Sequence, residues 1–180
     1  IRDEETAEIA INAGMTGHLV ISTIHSGSTS GTFARLINMD IEPFLLASTI
    51  MGVLGVRLLR TNCMHCATPY TPEAYALEQL RQFEGEEYLQ MLIDQQGFYK
   101  GAGCSACSNT GFSGRGSINE LLVCEEQIRE AVMQKRASRE IQGMAVENGM
   151  RTLWESGLQM VVDRKTTLEE TLQKVAADQV

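Results

Sequence analysis

The stretch RTNCMHCATPY (60–70) holds two cysteines with two residues between them, and GAGCSACSNTGFSG (101–114) repeats that spacing 37 residues later. Two Cys-x-x-Cys pairs at such a distance are typical of a structural zinc site, because each pair presents two sulfurs to one face of a tetrahedron. No further His or carboxylate is placed to make a catalytic metal. The predicted Zn²⁺ ligands are Cys63, Cys66, Cys104 and Cys107, and the alternatives left open are two disulfides or four unrelated core thiols.

Two other residues that could bind a metal, His65 and Cys124, are not expected to be ligands. His65 lies inside the first pair, between two ligands, and this position favours an exposed ring over a place among the ligands. Cys124 ends an apolar run and is interpreted as a buried thiol. Glycines crowd the second pair, and their tolerance of positive φ lets the chain wrap closely around an ion.

The composition excludes some functions and favours others. The formal net charge is −8, so binding of nucleic acid through bulk charge is not expected. The longest apolar run, Phe44–Val56, is too short and too interrupted by Ser48 and Thr49 to span a bilayer. Five cysteines without an export signal fit a reducing compartment. Because the chain opens at Ile1 on a dense charged string, it is interpreted as a piece of a longer protein.

The first third of the chain alternates between helical and extended patterns. Apolar periodicity predicts a helix over Glu4–Met15 and a short strand, buried on both faces, over His18–His25. A helix over Thr32–Met39 follows. Pro43 then lies in the first turn of a third helix that continues as LLASTIMGVLG, before a second strand at Val56–Leu59. This alternation predicts an α/β domain with a mixed or parallel sheet.

The rest of the chain reads mainly as helices. Two are predicted between the cysteine pairs and four after a strand at Ser117–Cys124, with Ser138 and Thr167 as N-caps. Glu170 completes a capping box with Thr167. The predicted helices are Pro72–Phe83, Glu86–Gln95, Glu126–Gln134, Ser138–Asn148, Thr152–Arg164 and Leu168–Ala176.

Several motifs in order resemble one family. IRDEETAEIA (1–10) resembles the end of the extended Walker B string, GEIRDxETAxxA, of secretion and pilus-assembly ATPases, and TGHLVISTIHSGST (16–29) resembles their histidine box. Further matching segments are ARLINMDIEPFLLASTI (34–50), RGSINELL (115–122) and MRTLWESGLQMVVDRKTTLEETLQ (150–173). Over its whole length the chain is similar to the C-terminal part of a RecA-like P-loop ATPase domain from a type II secretion or type IV pilus assembly ATPase, of the zinc-bearing branch.

The resemblance implies an organisation and a set of partners. It implies the end of the ATPase core over 1–62, a tetracysteine zinc subdomain over 63–116 and a helical subdomain over 117–180. It further implies ATP and Mg²⁺ in the intact parent, and a homo-hexamer on the cytoplasmic face of the inner membrane. There the hexamer would contact the platform proteins of a secretion or pilus machine.

The resemblance also implies roles for five side chains. Arg2 would help to organise charge around the nucleotide. His18 and His25 bracket the predicted strand, and His25 at its C-terminal edge can donate to a γ-phosphate oxygen. Arg35 resembles a family arginine near the nucleotide or the subunit interface, where a forked, permanently charged donor is suited. Arg115 is expected near the adenine end.

Other family features are missing from this sequence. The Walker B glutamate would precede Ile1, and GxxxxGK[ST] does not occur, so the chain alone is expected not to hydrolyse ATP. The family's HTND reads HSGS after the histidine box, and its AQRLVR reads GVRLLR at 55–60. The alternatives are a zinc-stapled protein-interaction module without nucleotide chemistry and a nucleic-acid-binding zinc ribbon, which the acidic charge disfavours.

Overall fold

The computed structural model describes residues 1–95 and 97–175. Helices dominate these ranges, and the strands are few. The helices are α1 Glu4–Met15, α2 Gly31–Ile37, α3 Pro43–Thr49, α4 Ala74–Glu84, α5 Glu86–Gln95, α6 Glu126–Met133, α7 Ser138–Glu147, α8 Leu153–Val162 and α9 Leu168–Val175. The strands are β1 Gly52–Asn62, β2 Ala67–Tyr70, β3 Phe98–Gly101 and β4 Phe112–Val123. None of the described helices has the length and apolar character needed to cross a membrane.

The chain divides into two compact units. Unit 1 comprises Ile1–Gly55 and Glu120–Thr152, and unit 2 comprises Val56–Asn119 and the chain from Leu153 onward. Unit 1 is built around a buried apolar cluster to which α1, α2, α3 and α6 contribute. That cluster includes Ala7, Phe33, Leu46, Leu122 and Ile128. Unit 2 has its own cluster, which includes Leu59, Leu80, Ile118, Trp154 and Leu168.

Helix α1 begins where the sequence predicts, and its first turn explains why. The carboxylate of Asp3 accepts from the Thr6 N–H at 2.9 Å and from the Thr6 hydroxyl at 2.7 Å. Such an N-cap satisfies a backbone donor that has no partner inside the helix. The backbone hydrogen bond from Thr6 lowers the pKa of Asp3.

The strands form two ribbons instead of the predicted mixed or parallel sheet. β2 pairs antiparallel with β3, with Ala67 opposite Gly101 and Tyr70 opposite Phe98. β1 pairs with β4. Its direction is also antiparallel, because Gly52 lies against Leu122 near one end and the Thr61 hydroxyl donates to the Ser113 carbonyl near the other. In the described part of the chain each sheet has two strands.

The third helix is shorter than predicted, and the following strand is longer. α3 ends at Thr49, whose hydroxyl donates to the Leu45 carbonyl at 2.6 Å. β1 already begins at Gly52, inside the run LLASTIMGVLG that was predicted to be helical. That run is apolar at nearly every position, so its periodicity does not separate a helix from a strand. Pairing with β4 decides the outcome.

The predicted buried strand over His18–His25 is wrong in this structure. The segment has no strand assignment, and the side chains of Leu19 and Ile21 are 79% and 89% exposed. Strands are stabilised by backbone pairing with a neighbour, and no strand of the described residues pairs with this segment. One backbone carbonyl, that of Thr23, accepts from the amino group of Ile1.

The predicted caps of the C-terminal helices are only partly present. Ser138 lies inside α7, and Ala137 is the N-cap residue, so Ser138 is not a cap. Thr167 does cap α9, since its hydroxyl accepts from the Glu170 N–H at 3.1 Å. The Glu170 carboxylate does not complete the box because it binds Arg60 instead. The predicted helix end at Ala176 lies outside the described residues.

Candidate functional site

The four predicted metal ligands converge in unit 2. Their Sγ atoms are 3.9 Å apart in the pairs Cys63–Cys104 and Cys66–Cys107 and 3.8 Å apart in Cys104–Cys107. All four Sγ atoms lie within 4.8 Å of one another. A tetrahedral Zn²⁺ with Zn–S bonds of about 2.3 Å requires S–S separations of about 3.8 Å. The cluster therefore fits a four-thiolate metal site.

The same distances favour a metal site over the two alternatives for these cysteines. A disulfide requires sulfur atoms about 2.05 Å apart. The four cysteines are free, and each sulfur lies well beyond that distance from the next. Four thiols drawn from two distant segments and gathered at one point are also not unrelated core residues. His65 is exposed and stands outside the cluster, as predicted.

The β2–β3 ribbon brings the two cysteine pairs together. Cys66 immediately precedes β2, and Cys104 follows β3 by three residues, so the register that places Ala67 opposite Gly101 sets the pairs side by side. Two backbone hydrogen bonds also join the segments. Cys63 N–H donates to the Gly111 carbonyl at 2.9 Å, and Ala102 N–H donates to the Cys66 carbonyl at 2.9 Å.

Hydrogen bonds prepare one of the sulfurs to be a thiolate. The backbone N–H groups of Cys104 and Gly111 point at Cys107 Sγ, at 3.2 Å and 3.3 Å. Led by the bond from Cys104, these contacts lower the pKa of Cys107 to about 6. Burial raises the pKa of the neighbouring Cys66 thiol to about 12. If all four sulfurs are thiolates, a bound cation is needed to balance their negative charge.

Cys124 has a separate environment, in unit 1. It is 5% exposed, and burial raises its pKa to about 11. An apolar setting of this kind keeps a thiol protonated and unreactive. The prediction of an ordinary buried cysteine is confirmed.

The five other predicted site residues are all exposed. Arg2, His18, His25 and Arg35 lie in unit 1, and Arg115 lies in unit 2. His18 Nδ1 lies 3.0 Å from the Thr16 hydroxyl, just beyond the end of α1. His25 opens the loop that leads into α2. Their roles toward a nucleotide stay predictions, because their placement does not test them.

Unit 1 contains a buried polar group that the sequence does not predict. Glu120 of β4 is 4% exposed, and its Oε1 accepts from the Thr29 hydroxyl at 2.5 Å. Its Oε2 accepts from Gln142 Nε2 at 3.3 Å. The signal was present in the alternation of β4, where Ile118, Glu120 and Leu122 all point inward. A carboxylate at a core position of a strand requires partners.

A second buried carboxylate, Glu170, lies in unit 2. Its Oε2 accepts from Arg60 Nε at 2.8 Å and Nη2 at 2.5 Å, while Oε1 accepts from the Arg60 N–H at 3.0 Å. Although burial opposes it, the hydrogen bonds from Arg60 lower the pKa of Glu170. The guanidinium of Arg60 stacks 4.2 Å from the centre of the Phe112 ring. This pair borders a groove of about 760 Å³ that Tyr70, Tyr75 and Lys100 also line.

Comparisons with known proteins agree with this architecture. Residues 1–173 match the family described as Type II/IV secretion system protein. The chain is 42% identical over 172 residues to the type IV pilus assembly ATPase PilB of Thermus thermophilus, covering 96% of this chain and 19% of that protein. It is 39% identical over 172 residues to the type II secretion system protein HxcR of Pseudomonas aeruginosa, covering 96% and 31%.

A solved structure shows the same fold. The X-ray structure of the Legionella pneumophila ATPase DotB aligns over 96% of this chain and 36% of that chain, with a TM-score of 0.58 and 15% sequence identity. The chain therefore has a mixed α/β fold like that of this ATPase, with a helical C-terminal region and a cluster of four cysteines.

The chain belongs to the Type II/IV secretion system protein family. It spans about a fifth to a third of the length of the curated relatives that it matches.

Proposed function

We propose that this chain is the C-terminal part of the ATPase domain of a hexameric motor that powers type II secretion or type IV pilus assembly by hydrolysing ATP. The observation that carries the proposal is the family match over 1–173, made by a chain that covers only 19% of its pilus-assembly relative and 31% of its secretion relative. GxxxxGK[ST] does not occur in the sequence, so the chain alone is inactive.

The uncovered segment His18–His25 supports this view of the chain. The segment is rich in β-branched residues, which favour strands, yet it pairs with no described strand. The side chains of Leu19 and Ile21 are largely exposed as a result. In a larger ATPase domain, strands from the preceding part of the same polypeptide would pair with this segment and cover its apolar side chains. Pairing would place His18 and His25 at the two ends of a central strand.

In that larger domain, the exposed histidine and arginine side chains of unit 1 would face the nucleotide. His25, at the carboxyl end of the completed strand, donates to the terminal phosphate and responds to its loss. Arg2 helps to organise charge around the nucleotide, His18 lies at the opposite end of the strand, and Arg35 binds phosphate or a carboxylate of the neighbouring subunit. Arg115, which belongs to unit 2, is assigned to the adenine of the nucleotide in the intact parent. Mg²⁺ would accompany ATP in the intact parent.

The cysteine cluster holds a structural Zn²⁺. Cys63, Cys66, Cys104 and Cys107 supply four thiolates, which leaves no open position for a reacting group. The ion's contribution is to fix the two chain segments to each other, and no catalytic step passes through it. In this proposal, 1–62 belongs to the ATPase core, 63–116 to the zinc subdomain and 117–180 to the helical subdomain.

The proposal also assigns partners and a location. The parent assembles as a homo-hexamer at the cytoplasmic face of the inner membrane and acts on the platform proteins of a secretion or pilus machine. Support comes from the names of the relatives, a type IV pilus assembly ATPase and type II secretion system proteins. The two groups of relatives are almost equally similar to this chain, at 42% and 39% identity, so both transport roles are included.

The test uses the full-length parent and measures ATP turnover and zinc together. His25→Ala and Arg35→Ala are each expected to lower ATP turnover by about tenfold or more. Each variant removes a side chain that would stabilise the negative charge developing on the phosphates in the transition state. Zinc should stay near one per chain in both. Unchanged turnover in both variants would contradict the motor and favour the alternative, a metal-stapled module that binds other proteins.

A further inference from the structure

Four elements of unit 1 meet at one buried polar point. Thr29 comes from the loop that follows His25, Gly55 from β1, Glu120 from β4 and Gln142 from α7. Thr29 and Glu120 are 3% and 4% exposed. Together, Thr29, Gly55, Glu120 and Gln142 are called the loop anchor below.

Each oxygen of the Glu120 carboxylate has a different partner in the loop anchor. Oε1 accepts from the Thr29 hydroxyl at 2.5 Å, and Oε2 accepts from Gln142 Nε2 at 3.3 Å. A hydrogen bond to a buried carboxylate is stronger than one between neutral groups, and the cost of leaving the carboxylate without it is large. The charge therefore holds one end of the loop firmly and connects it to α7.

Gly55 provides the room for this contact. A Cβ atom built on Gly55 would lie 3.0 Å from Thr29 Cγ2 and 3.8 Å from Glu120 Cβ. A contact of 3.0 Å is tighter than ordinary van der Waals contact, so any larger residue at position 55 must displace the Thr29 side chain. The glycine in GVRLLR is thus explained by the approach of Thr29.

The loop anchor lies close to His25 along the chain. Only Ser26, Gly27 and Ser28 separate His25 from Thr29. The loop is also tied to the start of α2, because Gly31 N–H donates to the Ser28 hydroxyl at 3.0 Å and Thr32 N–H donates to the Thr29 carbonyl at 3.2 Å. A displacement of Thr29 therefore moves the short segment that carries the histidine.

We propose that Glu120 is a positioning residue: through Thr29 it fixes the loop that carries His25, and through Gln142 it couples the position of that loop to helix α7. The link to ATP turnover rests on the function proposed above, whereas the link between Glu120 and the loop does not. Movement of His25 on loss of a phosphate would then be transmitted to α7 through a buried charge.

The first experiment measures the loop directly, by amide hydrogen exchange of the chain. Thr29→Val keeps the shape of the side chain and removes its hydroxyl, so exchange at Gly31 and Thr32 is expected to speed up by about tenfold. Thr29→Ser keeps the hydroxyl and should exchange like the wild type. Thr171→Val is the matched control, because Thr171 is a fully buried threonine of unit 2 that donates to the Thr167 carbonyl at 3.1 Å. It should leave exchange at Gly31 and Thr32 unchanged.

The second experiment tests the packing by suppression. Gly55→Ala is expected to speed exchange at Gly31 and Thr32, because the new methyl group displaces Thr29. Adding Thr29→Ser removes the Cγ2 atom that the new methyl group meets and should return exchange most of the way to the wild-type rate. A double variant as defective as Gly55→Ala alone would overturn the assigned contact.

The third experiment measures ATP turnover in the full-length parent. Thr29→Val and Glu120→Gln should each lower kcat by roughly tenfold and leave KM within about twofold of the wild-type value. A small misplacement of a reacting group lowers the rate more than it weakens binding. Thr29→Ser keeps the hydroxyl and should have a kcat near that of the wild type. Normal kcat in Thr29→Val, in a parent where His25→Ala is impaired, would overturn the positioning role. If His25→Ala itself has normal turnover, the proposed function fails, and the exchange experiments still decide whether Glu120 holds the loop.

Discussion

Gly101 and Gly111 lie backbone to backbone beside the cysteine cluster, so that a Cβ atom on either residue would overlap the carbonyl group of the other. Gly111 also has a φ of +75°, a conformation that strains any residue with a side chain. This close approach allows Cys63 N–H to donate to the Gly111 carbonyl. The close approach of the two backbones therefore explains why glycine is required at positions 101 and 111.

The first prediction concerns this contact. We expect Gly111→Ala to lower the free energy of unfolding by at least about 2 kcal/mol, because the methyl group meets backbone and the φ angle becomes strained. Metal content after purification should fall in parallel. Denaturant unfolding and elemental analysis measure the two effects.

Gly143→Ala is the control for that variant. Gly143 lies in α7, and a Cβ atom added there would meet nothing within 4 Å. Alanine is favoured over glycine inside a helix by about 1 kcal/mol, so this variant should be slightly more stable and keep its metal. Equal stability loss in the two variants would contradict the account of Gly111.

The second prediction concerns the metal itself. We expect about one Zn²⁺ per chain in the wild type and its loss in Cys104→Ser, because four thiolates form the site. Cys124→Ser should retain the metal, since Cys124 lies outside the cluster. Binding should weaken as the pH falls, because protons compete for thiolates. Zinc measured in wild-type protein dialysed at a series of pH values checks the direction; retention that does not change with acidification would argue against thiolate ligands.

The third prediction concerns the buried pair of Arg60 and Glu170. We expect Glu170→Gln to destabilise the chain by roughly 1–3 kcal/mol at neutral pH, because the Glu170 side chain is buried and Arg60 loses its charged partner. The pKa of Glu170 is lowered in the folded state, so its stabilisation is complete above the unfolded pKa of about 4.3 and is lost as the pH falls through the folded value.

Unfolding free energies of the wild type and Glu170→Gln should therefore converge in acid. The control is Glu78→Gln, which removes a carboxylate from the pair of Arg81 and Glu78, whose side chains are both about half exposed. An exposed pair contributes roughly 0–1 kcal/mol, so this variant should differ little from the wild type at any pH. A gap that persists unchanged at low pH would show that the Glu170 charge is not the cause.

The fourth prediction concerns the uncovered segment His18–His25. We expect Ile21→Lys to reduce self-association of the isolated chain without lowering its unfolding free energy by more than about 0.5 kcal/mol, because the side chain is largely exposed. Leu122→Lys should instead prevent folding, since Leu122 is fully buried. In the full-length parent the expectation reverses for Ile21→Lys, and the variant should be destabilised if strands cover this segment there. Light scattering and thermal unfolding compare the variants.

Local signals in the sequence predicted much of the fold. Helices α1 and α5 have the predicted bounds, because caps and amphipathic spacing act within one or two turns of the chain. The cysteine cluster was predictable for a similar reason, since two short motifs fix both the residue type and the spacing that a tetrahedral ion requires. Each of these features is encoded by residues that lie close together in the sequence.

The missed features depend on distant residues. A strand over His18–His25 needs a neighbour to pair with, and β-propensity alone does not supply one. The extended state of Gly52–Gly55 is decided by β4, about 70 residues later. Thr29 and Glu120 are 91 residues apart in the chain, and neither residue type by itself predicts that the two side chains form a hydrogen bond. Burial of a charge becomes visible only when the strand's inward face is known.

The two cysteine pairs lie together, so the 37 residues between them form a loop whose two ends are held close to each other. Within that loop, Gly85 joins α4 to α5. Its φ is +89°, and a Cβ atom added there would meet nothing within 4 Å. Lengthening a loop whose ends are already joined costs little entropy, about 0.6 kcal/mol for each doubling. Insertions at this turn are therefore expected to leave the arrangement of the four cysteines unchanged.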